Sequence, residues 1–278
     1  MKRRIITSLI AIPVVLLAVA SQTPVVFVLV LLACFICLDE ASGLLDAGQP
    51  PLLDALPTLL AAVAAGILNS PVDSASHQPG RDFATPLLLL AVWGLWIAGL
   101  LTSWRISRRQ ISTIDRFLYS MWFSVPLLGL IFLHPFRWSL EPTWSLKTPL
   151  LLILIPVWAG DIAAMLAGRA FGRHFLAPKI SPKKTWEGAI ANLLAACAAG
   201  LLVGFFLGYP SGLGLAAGAV VGIFGQLGDL FESGLKRATG KKDSGGLLPG
   251  HGGLLDRIDS LIACVLPIWT VLWLGGVL

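Results

Sequence analysis

Apolar segments of roughly bilayer length follow one another along the whole chain, and they limit the possible folds more than any other feature. A transmembrane helix needs about 20 mainly apolar residues. The segments fall at residues 5–20, 24–38, 55–69, 85–101, 117–133, 149–168, 187–208, 213–232 and 256–277. Only 13% of the 278 residues are charged, against about 25% in soluble domains. The sequence therefore predicts an all-α polytopic membrane protein with about nine transmembrane helices.

The distribution of lysine and arginine among the loops predicts the orientation of these helices. If the N-terminus lies in the cytoplasm, all of the 20 Lys and Arg residues except Arg81, Arg137 and Lys147 lie on the cytoplasmic side. Short basic loops favour that side of the membrane. We therefore expect a cytoplasmic N-terminus and an outside C-terminus, with the first segment retained as a signal anchor.

Ionisable residues divide the chain into two regions. Residues 1–148 hold about five segments with few ionisable groups inside them, and residues 149–278 hold about four segments with cytoplasmic loops at 169–186 and 233–255. The carboxylates in or beside the last four segments are Asp161, Glu187, Asp229, Glu232, Asp256 and Asp259. A carboxylate at the centre of a span costs about 2.5–3.5 kcal/mol on insertion scales. Such groups are kept for function or for pairing, so we expect the chemistry in the second region.

Two aspartates near the start of the last segment are spaced to share one helix face. Asp256 and Asp259 lie at positions i and i+3, which are neighbours on a helix surface. Asp229, near the end of the preceding segment, approaches them if the two helices pack antiparallel. Mg²⁺ is commonly held by one or two carboxylates together with substrate phosphates, so these residues predict a metal site. Helix capping is the alternative interpretation of each aspartate taken alone.

The loop before the last segment is both basic and rich in glycine. Its cations are Lys236, Arg237, Lys241 and Lys242. Lysine and arginine bind phosphate groups well, and the glycines around His251 allow the backbone to approach a ligand closely. Positive charge also serves membrane topology alone, which stays open as an alternative for each lysine. The added presence of Asp243 and His251 favours a phosphate-binding wall.

A second polar stretch lies between the sixth and seventh segments. The sequence Ser181–Thr185 (SPKKT) combines hydroxyl groups with ammonium groups, and it predicts a compact phosphate-binding turn stiffened by proline. We expect this stretch and the glycine-rich loop to form facing walls of one site. The chain contains no Walker A, GxSxG or HExxH motif, so nothing supports a P-loop enzyme, an α/β-hydrolase or a zinc protease.

The run from Ser233 to Asp259 resembles, without a gap, the signature of the phosphatidate cytidylyltransferase (CDP-diacylglycerol synthase) family. The matching positions are Ser233, Leu235, Lys236, Arg237, Lys242, Asp243, Gly245, Leu248, Pro249, His251, Gly252, Gly253, Leu254, Asp256, Arg257, Ile258 and Asp259. The run SPKKTWEG is similar to a second stretch of that family. Ile162, Met165 and Lys241 depart from the residues that the family usually has at these positions.

The resemblance implies that CTP reacts with phosphatidic acid to give CDP-diacylglycerol and pyrophosphate, in phospholipid biosynthesis. It implies Mg²⁺ as the cofactor, with or without a monovalent cation such as K⁺. The implied catalytic residues are Asp229, Asp256, Lys242 and Asp243, and the implied metal ligands are Asp229, Asp256 and Asp259. The implied substrate-binding residues are Ser181, Lys183, Lys184, Thr185, Ser233, Lys236, Arg237, His251, Gly252, Gly253 and Arg257. We further expect a homodimer in a bacterial-type inner membrane, with its site on the cytoplasmic side.

Two other functions remain as alternatives. A CDP-alcohol phosphatidyltransferase is also a metal-dependent membrane enzyme, but its longer DGxxAR-type aspartate pattern is missing from this chain. A transporter would be expected to show internal repeats and broken helices, and no repeat of that kind is visible. The net charge of +5 follows mostly from topology, and no basic–aromatic motif predicts nucleic acid as a partner.

Overall fold

A computed structural model of the chain describes residues 13–17, 19–20, 23–44, 148–247 and 252–277, together with positions 93, 94, 97, 119, 122, 126 and 127. The elements are α1 (Thr23–Leu44), α2 (Leu151–Phe171), β1 (Phe175–Ala177), β2 (Ser181–Thr185), α3 (Trp186–Leu207), α4 (Ser211–Ala238) and α5 (Leu255–Leu274). The segments predicted at 5–20, 55–69, 85–101 and 117–133 lie largely outside the described residues.

Four of the helices, α2 to α5, are long and apolar enough to cross a membrane. They coincide with the segments predicted at 149–168, 187–208, 213–232 and 256–277, which confirms a mostly helical chain with several candidate spans. The predicted end of the eighth segment is wrong, because α4 continues to Ala238. Hydropathy falls after residue 232, but the helical backbone continues, and the i,i+4 pair of Glu232 with Lys236 supports the last turns.

The prediction of a purely α-helical chain is wrong for residues 175–185. Strands β1 and β2 pair antiparallel, with Phe175 opposite Thr185 and Ala177 opposite Ser181. Ser181–Thr185 is therefore an extended strand and not the compact turn that its composition suggested. Because β2 pairs with β1, its backbone is extended where the sequence suggested a turn.

The chain divides into two compact units. The first comprises residues 1–146 and 238–257, and its described parts include α1, residues 238–247 and the turn before α5. The second comprises residues 147–237 and 258–278, with α2, the hairpin, α3, nearly all of α4 and most of α5. The division at residue 148 predicted from composition stays a prediction.

Glycine allows α3 and α4 to approach closely within the second unit. A Cβ atom added to Gly200 would lie 2.7 Å from the Cα atom of Gly218, and one added to Gly204 would lie 2.9 Å from the Cα atom of Gly214. Small residues drive helix association in membranes because they bring the backbones together. The chain turns between the two helices at Gly208, whose φ of +79° belongs to the left-handed region that favours glycine.

Candidate active site

A polar cavity of about 250 Å³ lies within the second unit. Residues of α2, the hairpin, α3, α4 and α5 line it. The polar lining side chains are Asp161, Lys183, Lys184, Thr185, Asn192, Gln226, Asp229 and Ser260. Carboxylate, ammonium and amide groups thus converge where most side chains of the surrounding helices are apolar. Such convergence in a cleft marks a candidate functional site.

An ion pair joins the hairpin to α4 at this cavity. The Nζ atom of Lys184 lies 2.8 Å from Oδ2 of Asp229, and the two side chains are 24% and 40% exposed. The other carboxylate oxygen, Oδ1, accepts a hydrogen bond of 3.2 Å from the hydroxyl of Ser233 one turn later. Two of the predicted substrate-binding residues therefore contact a predicted catalytic residue directly.

The hairpin is held in place at the start of α3. Thr185 is the N-cap residue, and its hydroxyl oxygen accepts a hydrogen bond of 3.2 Å from the amide of Gly188. The Nδ1 atom of His174 lies 2.7 Å from Oε1 of Glu187, and the amide of Trp186 donates to the His174 carbonyl. Thr185 was predicted to bind substrate, and the structure also gives it this capping role, which fixes Lys184 next to it in the chain.

Three carboxylates lie close together between α4 and α5. Asp259 is buried, and it lies within electrostatic range of both the fully buried Glu232 and Asp229. Lys236 contacts Oε2 of Glu232 at 3.0 Å. Sequence reasoning noted Glu232 only as a carboxylate at a helix end. The structure instead makes it the partner of both a predicted metal ligand and a predicted phosphate-binding lysine.

Two amide side chains that sequence reasoning missed line the deeper part of the cavity. Gln226 donates from Nε2 to the Ala189 and Gly222 carbonyls and to Oδ1 of Asn192, at 2.7–3.3 Å. Asn192 packs against Gly160, where an added Cβ would lie 2.8 Å from the Asn192 amide nitrogen. Polar residues at positions 192 and 226, inside otherwise apolar segments, were the signal that could have revealed them.

In the first unit, Asp256 organises the turn that leads into α5. Its Oδ2 atom accepts hydrogen bonds from the backbone amides of Ser244 and Gly253, at 2.9 and 2.8 Å. Gly252 has a φ of +81°, and a Cβ atom there would lie 2.7 Å from the same oxygen. The glycines at 252 and 253 therefore let the chain wrap around the Asp256 carboxylate, so they contribute to the site through the backbone.

The same turn contacts Glu40, which sequence analysis assigned no role. Glu40 lies on α1, is 7% exposed, and accepts hydrogen bonds from Ser244, Leu254 and Leu255. Its sequence neighbourhood resembles an ordinary helix end, because Asp39 beside it is also acidic and is exposed. Only the three-dimensional contacts distinguish one carboxylate from the other.

The remaining predicted site residues have varied surroundings. The Nε atom of Arg237 donates to the carbonyl of Ile180 in the hairpin at 3.3 Å. Exposed positions are occupied by Lys183, Lys242, Asp243 and Arg257, while Ser181 is half-buried. His251 lies outside the described residues. The predicted approach of Asp229 to Asp256 stays a prediction.

The oxygen donors in this part of the chain fit a hard cation such as Mg²⁺. The carboxylates of Asp161 and Asp229 line a cavity that also contains lysine, and Asp259 lies close enough to Asp229 for the two carboxyl groups to interact electrostatically. Within the described ranges, no group of three or more His, Cys, Asp or Glu side chains is arranged to hold a metal by itself. Mg²⁺ sites in proteins often use only one or two carboxylates, with substrate phosphates completing the shell.

Known proteins resemble this chain over nearly its whole length. Residues 2–274 match the profile of the Cytidylyltransferase family. The chain belongs to this family. The match covers nearly the whole chain, including the described helices, the hairpin and the turn before α5. The predicted family is therefore confirmed.

Individual members of the cytidylyltransferase family are similar to this chain over different lengths. Phosphatidate cytidylyltransferase of Brucella suis biovar 1 is 51% identical over 117 residues, which is 42% of this chain and 43% of that relative. The enzyme of the same name from Staphylococcus saprophyticus is 32% identical over 98% of both chains. That of Haemophilus influenzae is 34% identical over 95% of this chain and 96% of its own. For the Brucella relative, the matched stretch is thus less than half of either protein.

Proposed function

We propose that this chain is a phosphatidate cytidylyltransferase, a nucleotidyltransferase that transfers CMP from CTP to phosphatidic acid and releases pyrophosphate. The observation that carries the proposal is the contact of Lys184 with Asp229 at a polar cavity. It brings the SPKKT strand together with the helix that leads into the glycine-rich loop. The family resemblance rests on these two stretches. They meet at an ammonium group suited to phosphate and a carboxylate suited to a divalent cation.

The reaction needs alignment and charge neutralisation more than proton transfer. An oxygen of the lipid phosphate attacks the α-phosphorus of CTP, a new phosphoanhydride bond forms, and the bond to the β-phosphate oxygen breaks. The electron pair leaves with pyrophosphate. Because the attacking phosphate is already an anion at neutral pH, no strong general base is required. Catalysis of this kind rests on positioning and on electrostatic stabilisation.

The proposal assigns the neutralisation of phosphate charge to basic residues of the second unit. Lys184 is oriented by Asp229, and Arg237 is anchored on the Ile180 carbonyl. Lys183 lines the same cavity. A cavity of about 250 Å³ is smaller than a typical drug-sized ligand pocket of about 300–1,000 Å³. We assign it to the phosphate end of the substrates, with the nucleoside and the acyl chains extending beyond it.

Asp229, Asp256 and Asp259 would hold Mg²⁺, with or without an accompanying monovalent cation such as K⁺. When bound, the cation would supply charge neutralisation at the phosphate oxygens. The protein residues orient the donors. Ser233 holds Oδ1 of Asp229, Lys184 holds Oδ2, and the amides of Ser244 and Gly253 hold Oδ2 of Asp256.

The proposal includes the topology and the assembly of the enzyme. We place about nine helices across a bacterial-type inner membrane, with the N-terminus and the site on the cytoplasmic side and the chain as a homodimer. Accessibility of single introduced cysteines to an impermeant reagent tests the orientation, and the mass of the purified complex tests the dimer. Labelling of position 2 from the outside would contradict this orientation.

One assay decides the proposed activity. The purified protein is incubated with phosphatidic acid, labelled CTP and Mg²⁺, and the lipid product is identified by mass. We expect CDP-diacylglycerol and an equal amount of pyrophosphate, with no product in the EDTA control, since the carboxylates hold phosphate only through a cation. Product formation from CDP-diacylglycerol and an alcohol would instead favour a CDP-alcohol phosphatidyltransferase. No lipid product from either mixture would contradict the proposed function.

We expect Lys184→Ala to raise the half-saturating concentration of CTP or phosphatidate by about 10- to 100-fold, because a hydrogen bond to a charged group contributes about 1.5–3 kcal/mol. Steady-state kinetics with each substrate varied in turn measures this change. Lys179→Ala is the matched control, because Lys179 is exposed in the turn between β1 and β2. Unchanged kinetics for both substrates in Lys184→Ala would remove this residue from the site.

A further inference from the structure

We propose that Glu40 is a positioning residue that fixes the start of α5 and, with it, the direction of the Asp256 carboxylate. The inference rests on the proposed function, because it treats Asp256 as part of the cation and phosphate site of that reaction. Glu40 belongs to α1, far from Asp256 in the sequence, yet both residues lie in the first compact unit.

The Glu40 carboxylate binds the amides that open α5. Oε1 accepts a hydrogen bond from the amide of Leu254, and Oε2 accepts one from the amide of Leu255, both at 2.8 Å. The first amides of a helix have no partner within the helix. The side chain of Leu254, immediately before α5, cannot accept a hydrogen bond. Glu40 therefore caps α5 from a different helix, 214 residues away from Leu254, and its negative charge suits the positive end of the helix dipole.

Ser244 links the Glu40 carboxylate to the Asp256 carboxylate. Its hydroxyl donates to Oε2 of Glu40 at 3.0 Å, and its backbone amide donates to Oδ2 of Asp256 at 2.9 Å. The amide of Gly253 also donates to Asp256. The backbone amide of Gly253 thus donates to Asp256, and the next two amides along the chain donate to Glu40. A displacement of Glu40 changes the turn that holds Asp256.

Two glycines of the signature loop make room for Glu40. A Cβ atom at Gly245 would lie 2.8 Å from Oε1 of Glu40, and one at Gly253 would overlap both the Ser244 hydroxyl and the Glu40 carboxylate. Sequence reasoning attributed the glycines of this loop to close approach by a ligand. The contacts give these two a different purpose, because the group that approaches the backbone is a side chain of the protein itself.

A residue that orients a ligand of a cation affects the cation requirement, whereas a purely structural residue affects only stability. Partners that orient metal ligands typically change metal affinity or activity by about 10- to 100-fold when they are replaced. Gln at position 40 keeps the size of the side chain but loses the charge and one acceptor oxygen, so it cannot satisfy all three donors. The Mg²⁺ requirement of a Glu40→Gln variant therefore distinguishes a positioning role from a purely structural one.

The test compares Glu40→Gln and Ser244→Ala with the control Asp39→Asn, which changes the neighbouring exposed carboxylate. Amide hydrogen exchange of residues 252–257 is measured on the full-length protein in nanodiscs, without substrate. The kcat, the KM for CTP and the half-saturating Mg²⁺ concentration are then measured with phosphatidate. We expect Glu40→Gln to speed exchange at Leu254 and Leu255 and to raise the Mg²⁺ requirement by about tenfold. Ser244→Ala changes both quantities less, and Asp39→Asn leaves them as in the wild type.

Either of two results would overturn the inference. Wild-type exchange at Leu254 and Leu255 in Glu40→Gln would show that the carboxylate does not hold the turn. Faster exchange with an unchanged Mg²⁺ requirement would reduce Glu40 to a structural cap. If Glu40→Gln does not fold, the exchange rates at Leu254 and Leu255 and the Mg²⁺ requirement are measured in Ser244→Ala. These two quantities then decide whether the contact between Ser244 and Glu40 orients Asp256. A wild-type protein that makes no CDP-diacylglycerol contradicts the proposed function instead, and the exchange comparison still determines whether Glu40 holds α5.

Discussion

Asp229→Asn is expected to lose CTP-dependent synthesis of CDP-diacylglycerol by at least about 10²–10³-fold, the loss seen when one preorganised electrostatic group is removed from an active site. Asn has nearly the same shape, so the protein still folds and inserts. It lacks the negative charge that attracts a cation and orients Lys184 at 2.8 Å. The initial rate with labelled CTP, at saturating phosphatidate and over a range of Mg²⁺ concentrations, measures the effect.

Ser233→Ala provides the graded comparison for this prediction. It leaves the Asp229 charge in place and removes only the hydrogen bond of 3.2 Å to Oδ1, so a loss of about tenfold is expected, in the range found for groups that orient a metal ligand. Thermal unfolding in detergent checks that both proteins are folded. Wild-type activity in the Asn variant would exclude Asp229 from the cation site, however well the protein folds.

Gly253→Ala is expected to lower kcat/KM by about 10²-fold, because a displacement of about 1 Å in an active site has an effect of that size. The added methyl group overlaps the Ser244 hydroxyl and the Glu40 carboxylate. Overpacking of this kind costs about 1–3 kcal/mol, and the cheapest response is movement of the turn that holds Asp256. Steady-state kinetics together with thermal unfolding separates lost activity from lost structure.

Gly246→Ala is the matched control in the same loop. A Cβ atom at Gly246 meets nothing within 4 Å, so this variant is expected to keep its activity within about twofold, as surface substitutions usually change stability by no more than about 0.5 kcal/mol. Equal rates for Gly253→Ala and the wild type would mean that the turn accommodates a methyl group and that its close packing is not required.

Local sequence patterns were sufficient to predict where the long helices lie and which type of reaction to expect. Apolar segments located α2, α3, α5 and the start of α4 to within a few residues, because partition of a side chain into a bilayer depends on that side chain and its immediate neighbours. They misplaced the end of α4, where Lys236 and Glu232 stabilise a helix whose hydropathy has already fallen. Sequence patterns did not predict the hairpin, because β1 has only three residues and its strand character depends on pairing with β2.

The sequence singled out charged residues that the structure places beside the cavity, but it did not indicate how they are arranged. Lys184 and Asp229 were each selected for their charge, and nothing in the spacing of 45 residues indicated that they form an ion pair. Glu232 and Gln226 received little weight because a single polar residue at a helix end or inside an apolar segment has several explanations. Their contacts with Asp259 and Asn192 depend on how α3, α4 and α5 pack.

The sequence by itself determined that this is a helical membrane protein of the cytidylyltransferase family, since hydropathy and motif residues are properties of short stretches of chain. Only the tertiary structure decided which charged groups face one another. It placed Lys184 on Asp229, and it made Glu40 rather than Asp39 the carboxylate that caps α5. The physical reason is that hydrogen bonds and ion pairs act over about 3 Å in space, so residues hundreds of positions apart interact only after packing brings them together.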